Sequence, residues 1–421
     1  MMSPVIICLV SPGHLGSNPR LVKEADALAA AGYHVRVIYG DSFPPARVRD
    51  RAILAGAVWQ ASAMSLQGWR RVAAILRQRT AKILFSWGWR SAGIATLAHH
   101  PLTPSLEAAA RAIRADLYIG HCLAALPAVV AAARHHRAKG GFDAEDFHSG
   151  ELLDEGNGRL ENEIARVIEK HLLPQCHHLT AASPLIAAAY QETCGVNPLT
   201  ILNVFPLREA ADPQPAPGLP AFYWFSQTVG PGRGLEAFIG ILRQLQRPCR
   251  LDLRGHVSGA YQQELEQMAA GSRITLHFLP PDLPQTMVRH AAGYTAGLAL
   301  EQRQPRNRDI CLTNKAFTYL LAGVPVILSQ TSAQELLAVD LGPAALLLDL
   351  EKSAEAAVSL ARWLDQPGNQ ERARSEAFQL GRRRFCWDSE NEKVLFQVAS
   401  VLGKQAPGFF LNPTHKNVTH G

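Results

Sequence analysis

The chain has 421 residues, with 42 Lys and Arg against 36 Asp and Glu and a formal net charge of +6. Hydrophobic residues make up 47% and charged residues 19%, a globular composition that excludes a disordered, collagenous or coiled-coil chain and suits two domains. The seven cysteines include no CxxC pair, which argues against a zinc ribbon or dithiol redox site and suits a reducing compartment.

Residues 1–4 carry no Lys or Arg, and the apolar run 5–10 meets Pro12-Gly13 almost at once. A signal peptide needs more, and a membrane span needs about 18 or more apolar residues, so a cytoplasmic protein is expected. Residues 5–10 predict a buried parallel strand. Ser11-Pro12-Gly13-His14-Leu15-Gly16-Ser17-Asn18-Pro19 is turn chemistry, and Leu21, Ala25, Leu28 and Ala29 then recur at helical spacing until Ala31-Gly32. With a strand over 35–39 this is a βαβ unit opening on a glycine-containing loop.

Between Asp50 and Glu107 there is no acidic residue, yet the stretch holds Arg51, Arg70, Arg71, Arg77, Arg79, Lys82 and Arg90. Trp59, Trp69, Trp87 and Trp89 fall there as well. Basic residues among Trp and Leu suit docking on an anionic membrane surface. A solvated helix face beside core tryptophans explains the same residues. Nucleic acid would also be attracted, but it is not expected as a partner.

Further along, 116–121 reads as a strand, 126–134 as a helix, and 142–145 as a strand end. Helix 159–173, strand 178–181 and strand 199–203 close the first alternating series. Residues 206–220 carry five prolines (Pro206, Pro213, Pro215, Pro217 and Pro220) and read as a linker. A second series follows: strand 222–225, glycine loop, helix 235–246, strand 250–254, helix 261–269 and strand 275–278. Strand 297–300, helix 315–321, strand 325–328 and helix 355–364 continue it. A helical pattern over 371–401 has a break expected near Trp387, and little order is expected after Gly403.

Several segments together resemble the glycosyltransferases of the two-Rossmann-domain (GT-B) class, nearest to family-4-like members, over about residues 5–400. In the first half they are the loop from Ser11 to Arg20, the strand ending at His121, Asp143-Ala144-Glu145-Asp146-Phe147-His148, and Asn203-Val204-Phe205-Pro206. In the second half they are Gly230-Pro231-Gly232-Arg233-Gly234-Leu235 and the run from Asn314 to Ile327. The resemblance implies two facing Rossmann-like, doubly wound α/β domains with a cleft between them. The expected division is an acceptor domain over 1–205, linker 206–220, a nucleotide-sugar domain over 221–380, a C-terminal helix over 381–403 and a tail over 404–421.

Each segment has its own physical reading. Gly13 and Gly16 follow a strand and precede a helix, where glycine lets a ligand approach the backbone and the helix N-terminus favours phosphate. An ordinary strand–helix turn would look the same. Arg20 lies in the first helical turn, where the macrodipole mildly disfavours a cation, so an anionic ligand or plain solvation would explain it. Gly232 and Arg233 put backbone N–H groups, a helix start and a guanidinium around one point, a fit for a diphosphate. GPGRG is not the dinucleotide fingerprint GxGxxG, so nicotinamide chemistry fits poorly. Lys315, at a helix start, could meet phosphate or lie on the helix surface. His121 ends a strand, and from the residues alone it reads as a satisfied buried histidine. Asp143, Glu145, Asp146 and His148 read as a cleft-lining polar cluster or as a surface loop. No further His or Cys ligands accompany them, so no metal is expected.

The resemblance implies a sugar moved from a nucleotide-diphosphate sugar, as co-substrate, to a glycan or lipid-linked acceptor, in cell-surface polysaccharide synthesis. The reaction would be retaining and would need no metal or other cofactor. His121 and Glu301 would be catalytic. Gly16, Gly232, Arg233, Asn314, Lys315 and Thr318 would bind the donor, and Arg20, Asp143, Glu145 and His148 the acceptor. The family's phosphate-binding Lys corresponds to Arg233, while its partner Arg is Thr228 here. The family's paired glutamates correspond to Ile310 and Thr318, with Glu301 and Asp309 near enough in sequence to substitute. An inactive, transferase-like binding or scaffold subunit is the alternative.

Overall fold

Continuous apolar runs form the strands, because a parallel strand covered on both faces has no solvent side to keep polar. The computed structural model describes residues 4–403 apart from 213, 216 and 217, so the expected tail lies outside the described residues. The first series supplies β1 (Ile6–Val10), β2 (His34–Gly40), β3 (Gln60–Met64), β4 (Leu117–His121), β5 (Lys139–Ala144), β6 (His178–Ala181) and β7 (Leu199–Thr200). They lie in the order β3-β2-β1-β4-β5-β6-β7. The second series supplies β8 (Ala221–Val229), β9 (Cys249–Val257), β10 (Ile274–Leu279), β11 (Ala296–Ala299), β12 (Val326–Ser329) and β13 (Ala345–Leu348), in the order β10-β9-β8-β11-β12-β13. Both orders wind outward both ways from the first strand of their series, the doubly wound pattern.

Register then decides which side chains meet. β4 pairs in parallel with β5 so that His121 stands opposite Asp143. β11 pairs with β8 so that Gly297 stands opposite Tyr223. Ile7, Leu9 and Val10 of β1 are fully buried with Leu117 and Ile119 of β4. Under the second sheet, Phe222 and Phe238 meet edge to face at 5.4 Å, inside a core that also holds Trp224, Leu251 and Leu253.

By internal contacts the chain divides into two units. One holds the described residues up to Asp143, Val167–Leu179 and those from Asn391 on; the other holds Ala144–Arg166 and Thr180–Glu390. Between β7 and β8, the described part of the expected linker is tied down rather than loose. Arg374 Nη1 donates to Gln214 O (3.1 Å), Arg382 Nη2 to Ala211 O (3.3 Å), and Leu207 N to Asp388 Oδ2 (2.7 Å). The expected break near Trp387 is present, between helices Asn369–Arg383 and Trp387–Val401.

The basic stretch proves richer than its charge suggests. It folds as helix Arg47–Gly56, strand β3, and helices Gly68–Ser86, Ala92–His99 and Thr103–Arg111. β3 carries half-buried and exposed residues such as Gln60 and Ser62, so it lacks the apolar run that marks the other strands. Trp59 is buried and its Nε1 donates to Asp26 (2.7 Å), as the core reading of the tryptophans expects. Trp69, Trp87 and Trp89 are exposed, against that reading. Among the described residues no helix is long and apolar enough to cross a membrane.

Candidate functional site

In open α/β sheets, ligands meet the carboxyl ends of the strands where the strand order reverses. In the six-stranded sheet that point lies between β8 and β11. β8 runs into Gly230-Pro231-Gly232-Arg233-Gly234, with Gly232 at φ 71° and Gly234 at φ 75°. A Cβ at Gly234 would come within 3.0 Å of Leu300 Cβ and Leu350 Cδ1, so conformation and packing both require glycine there. Gly234 starts helix Leu235–Leu245 with no side-chain cap, which leaves the first amides open to an anion. Arg233 is half-buried and forms no hydrogen bond or ion pair with a described residue. Arg308 Nη1 donates to Gly232 O (2.6 Å) and pins the loop.

Beyond β11, Glu301 is held by its backbone: its N–H donates to Ser329 Oγ and its carbonyl accepts from the same hydroxyl, both at 2.7 Å. Its carboxylate meets Lys315 Nζ at 3.2 Å, and both residues are buried. Lys315 also lies 5.7 Å over the Trp224 ring. Helix Asn314–Leu321 starts without a side-chain cap, and the Thr313 Oγ1 at its N-cap is buried with no partner among the described residues. Half-buried Asn314 uses its carbonyl to accept from the Thr318 hydroxyl (2.9 Å), and Thr318 is fully buried. Lys315 is therefore a buried, paired cation, not a helix-surface residue.

The two substitutes for the absent glutamate pair part company. Asp309 accepts from Ser332 N (2.9 Å) and Ser332 Oγ (2.6 Å), capping helix Ser332–Leu341. Only Glu301 reaches the start of helix Asn314–Leu321, through Lys315. Ile310 is buried, and its carbonyl accepts from Ser183 Oγ.

In the first unit, the loop after β1 is closed by its own contacts. His14 Nδ1 donates to Asp50 Oδ2 (2.6 Å) while its Nε2 accepts from Phe43 N (2.8 Å). Gly16, expected to face donor phosphate, instead gives its N–H to Asp50 Oδ1 (2.9 Å). A Cβ on Gly16 would fall 2.8 Å from Arg49 Cβ, so packing explains this glycine. Asn18 caps helix Pro19–Ala30 by accepting from Leu21 N.

Arg20 is buried and grips Asp143 with two parallel hydrogen bonds, Nε to Oδ2 (2.5 Å) and Nη2 to Oδ1 (2.7 Å). It is neither solvated nor open to a ligand. One turn on, Glu24 meets His121 Nε2 at 2.9 Å, and His121 Nδ1 faces Asp143 Oδ2 at 3.3 Å. His121 is 0% exposed: the imidazole lies between two carboxylates, in the satisfied, buried position that the residues alone suggest. Burial alone would raise the Asp143 carboxyl, but Arg20 and His121 outweigh it and hold it well below the usual carboxylate range. Nearby His178 is fully buried, and burial pushes its pKa down. Glu24, His121 and Asp143 offer ligand atoms within 4.8 Å of one another. Each ring nitrogen already faces a carboxylate and both Asp143 oxygens bind Arg20, which suits an ion-pair network better than a metal.

The remaining acceptor candidates find separate partners. Asp146 Oδ1 accepts from Asn307 Nδ2 (2.7 Å) and burial raises its pKa. His148 Nδ1 pairs with Glu151, and Glu145 is half-buried. Sequence reasoning missed Glu24, Arg308, Thr313 and Ser329. Glu24 had a signal, four residues after Arg20 on one helix face; the others had none.

No protein-family model and no curated protein matches the chain. Solved structures do. HepE from Anabaena, in complex with UDP and glucose, is 15% identical with a TM-score of 0.67, over 94% of this chain and 100% of that one. Sucrose-phosphate synthase from Thermosynechococcus elongatus is 14% identical with a TM-score of 0.69, over 95% and 99%. A glycosyltransferase from Rickettsia africae is 10% identical with a TM-score of 0.63, over 96% and 100%. These likenesses show the fold: two Rossmann-like doubly wound domains, the GT-B architecture of glycosyltransferases.

Proposed function

We propose that this protein is a glycosyltransferase that moves a sugar from a nucleotide-diphosphate sugar to a glycan or lipid-linked acceptor. The observation that carries the reading is the end of β8. There an uncapped helix start and Arg233, without a partner among the described residues, lie side by side at the switch point of the six-stranded sheet. The likeness to a structure holding UDP and glucose supports a uridine nucleotide as the first ligand to try.

In this reading the sugar–phosphate C1–O bond breaks and the nucleoside diphosphate leaves with the electron pair. The acceptor hydroxyl oxygen bonds C1 and its proton passes to the departing diphosphate oxygen. Arg233 and the first amides of helix Leu235–Leu245 stabilise the leaving diphosphate, charge they meet without reorganising. Glu301 and Lys315 set the polarity at the start of helix Asn314–Leu321, where the uncapped amides and the Thr313 hydroxyl would take the sugar or ribose oxygens. Within the first unit, His121 is enclosed by Glu24 and Asp143 and serves the buried Arg20–Asp143 network.

Arg233→Ala tests the reading. UDP affinity by calorimetry is expected to fall by about 1.5–3 kcal/mol, the range for a hydrogen bond to a charged group. Stability should stay within about 0.5 kcal/mol, as for surface substitutions away from a core feature. Unchanged affinity would remove Arg233 from the site. The inactive-subunit alternative is favoured by one observation: Ile310 and Thr318 stand where the resembled family carries its glutamates. Release of nucleoside diphosphate together with a glycosylated acceptor decides for the enzyme, and tight binding without turnover decides for the subunit.

A further inference from the structure

Helix Gly68–Ser86 buries only a thin seam of small and aromatic residues: Ala74, Ala81 and Phe85. Its opposite side is apolar and bare. Trp69 is 76% exposed and Trp87, at the C-cap, is 75% exposed, with Val72, Leu76 and Ile83 exposed between them. At 3.6 residues per turn these five positions fall within an arc of about 60°, nearly opposite the buried seam. Arg79 borders this stripe about 20° from its edge, while Arg70 and Arg77 on one flank and Lys82 on the other stand further round, about 80–100° from it. The helix is fastened to its own unit by Gln78 Nε2 donating to His99 O (2.9 Å) and Arg77 Nη2 to Pro101 O (3.3 Å). The stripe is thus presented outward on a fixed element, followed by a turn that exposes Trp89.

We infer that this face docks the protein on an anionic phospholipid bilayer, with the helix lying in the plane of the interface. A contiguous exposed apolar stripe marks a binding surface. Its charge selects the occupant. Residues 51–106 carry Arg51, Arg70, Arg71, Arg77, Arg79, Lys82 and Arg90 and no carboxylate, so a second copy seated there would set like charges against like. A nucleic acid would accept the cations but leave Val72, Leu76 and Ile83 without use. An anionic bilayer meets both demands: headgroups take the cations, and the boundary region takes Trp and aliphatic side chains. The surface is independent of the sugar-nucleotide reading and stands if that reading fails.

The test is co-sedimentation of the full chain with vesicles of phosphatidylcholine alone or mixed equally with phosphatidylglycerol. The protein should pellet with the mixed vesicles at low salt, stay in the supernatant with phosphatidylcholine, and be released by added salt. Arg70→Ala, Arg77→Ala and Arg79→Ala should each weaken partitioning about fivefold, the equivalent of about 1 kcal/mol per cation. Trp69→Ser combined with Leu76→Ser and Ile83→Ser keeps every charge and removes only exposed groups, so it should melt like the parent yet lose most of its binding. Tryptophan emission should shift to the blue on mixed vesicles, and less so in Trp69→Ser. Equal recovery in the supernatant with both vesicle types at low salt would overturn the inference. So would vesicle binding indifferent to the three Ser substitutions, a dimer in vesicle-free buffer that they abolish, or retention on an oligonucleotide without vesicle binding. UDP calorimetry in vesicle-free buffer reports separately on the catalytic reading.

Discussion

Arg20→Met is expected to cost the first unit about 3–5 kcal/mol, the penalty for leaving one member of a buried ion pair alone. Both side chains are almost wholly inaccessible, 4% for Arg20 and 2% for Asp143, so water cannot replace the guanidinium. Adding Asp143→Leu should recover only part of the loss: the carboxylate no longer lacks its guanidinium, but buried His121 Nδ1 loses the group it faces. Urea unfolding of the single and double variants measures both effects, and a loss under about 1 kcal/mol for Arg20→Met would contradict the buried network. The pH dependence has a definite sign. Asp143 has a depressed folded pKa, so its contribution is complete above the ordinary carboxylate value of about 3.9 and disappears as pH falls through the folded value. The stability gap between the parent and Asp143→Asn should therefore hold across neutral pH and close only in strong acid.

Gly297→Ala is expected to destabilise the second unit by about 3 kcal/mol or more, at or beyond the upper end of ordinary overpacking. A Cβ at this position in β11 would fall 2.1, 2.2 and 2.4 Å from three ring atoms of Tyr319. The ring is fully buried, and its hydroxyl bonds Tyr223 O (3.0 Å) and Leu298 O (3.2 Å). It cannot swing aside without giving up both. Tyr319 follows Lys315 by one turn on helix Asn314–Leu321, so any displacement also moves Lys315 away from Glu301. UDP affinity should fall together with stability. Gly240→Ala is the control: nothing lies within 4 Å of a Cβ there, and a helix-interior alanine is expected to be neutral or to stabilise by up to about 1 kcal/mol. Calorimetry and urea unfolding on both variants check the pair. Parent-like stability in Gly297→Ala would show that the ring yields freely.

The local punctuation of this chain is legible in one dimension. Apolar runs such as 5–10 and 117–119 declare buried strands because both of their faces are covered, and Pro and Gly mark where they turn. The glycine loop at 230–234 could be placed before a helix for the same reason: positive φ and close packing leave few residue types a choice. β3 escaped because its exposed Gln60 and Ser62 break the apolar pattern. The basic stretch with four tryptophans declared its charge but not its faces. Only the folded chain decides that Trp59, just before β3, turns inward to Asp26 while Trp69 and Trp87 turn out.

Partnership is what the sequence alone left open. Asp143, Asp146 and His148 stand within six residues, yet one pairs with Arg20, one with Asn307 and one with Glu151. Arg20 and Asp143 are 123 positions apart and meet because β4 and β5 align in parallel beneath the first helix. Ion pairs and hydrogen bonds act over a few ångströms, and that proximity is set by strand order and register. Sequence by itself determined the alternating elements, the glycine-bearing turns and the uneven charge. Tertiary structure alone decided that His121 is enclosed, that Lys315 is paired with Glu301, and that Arg233 forms no ion pair with a described residue.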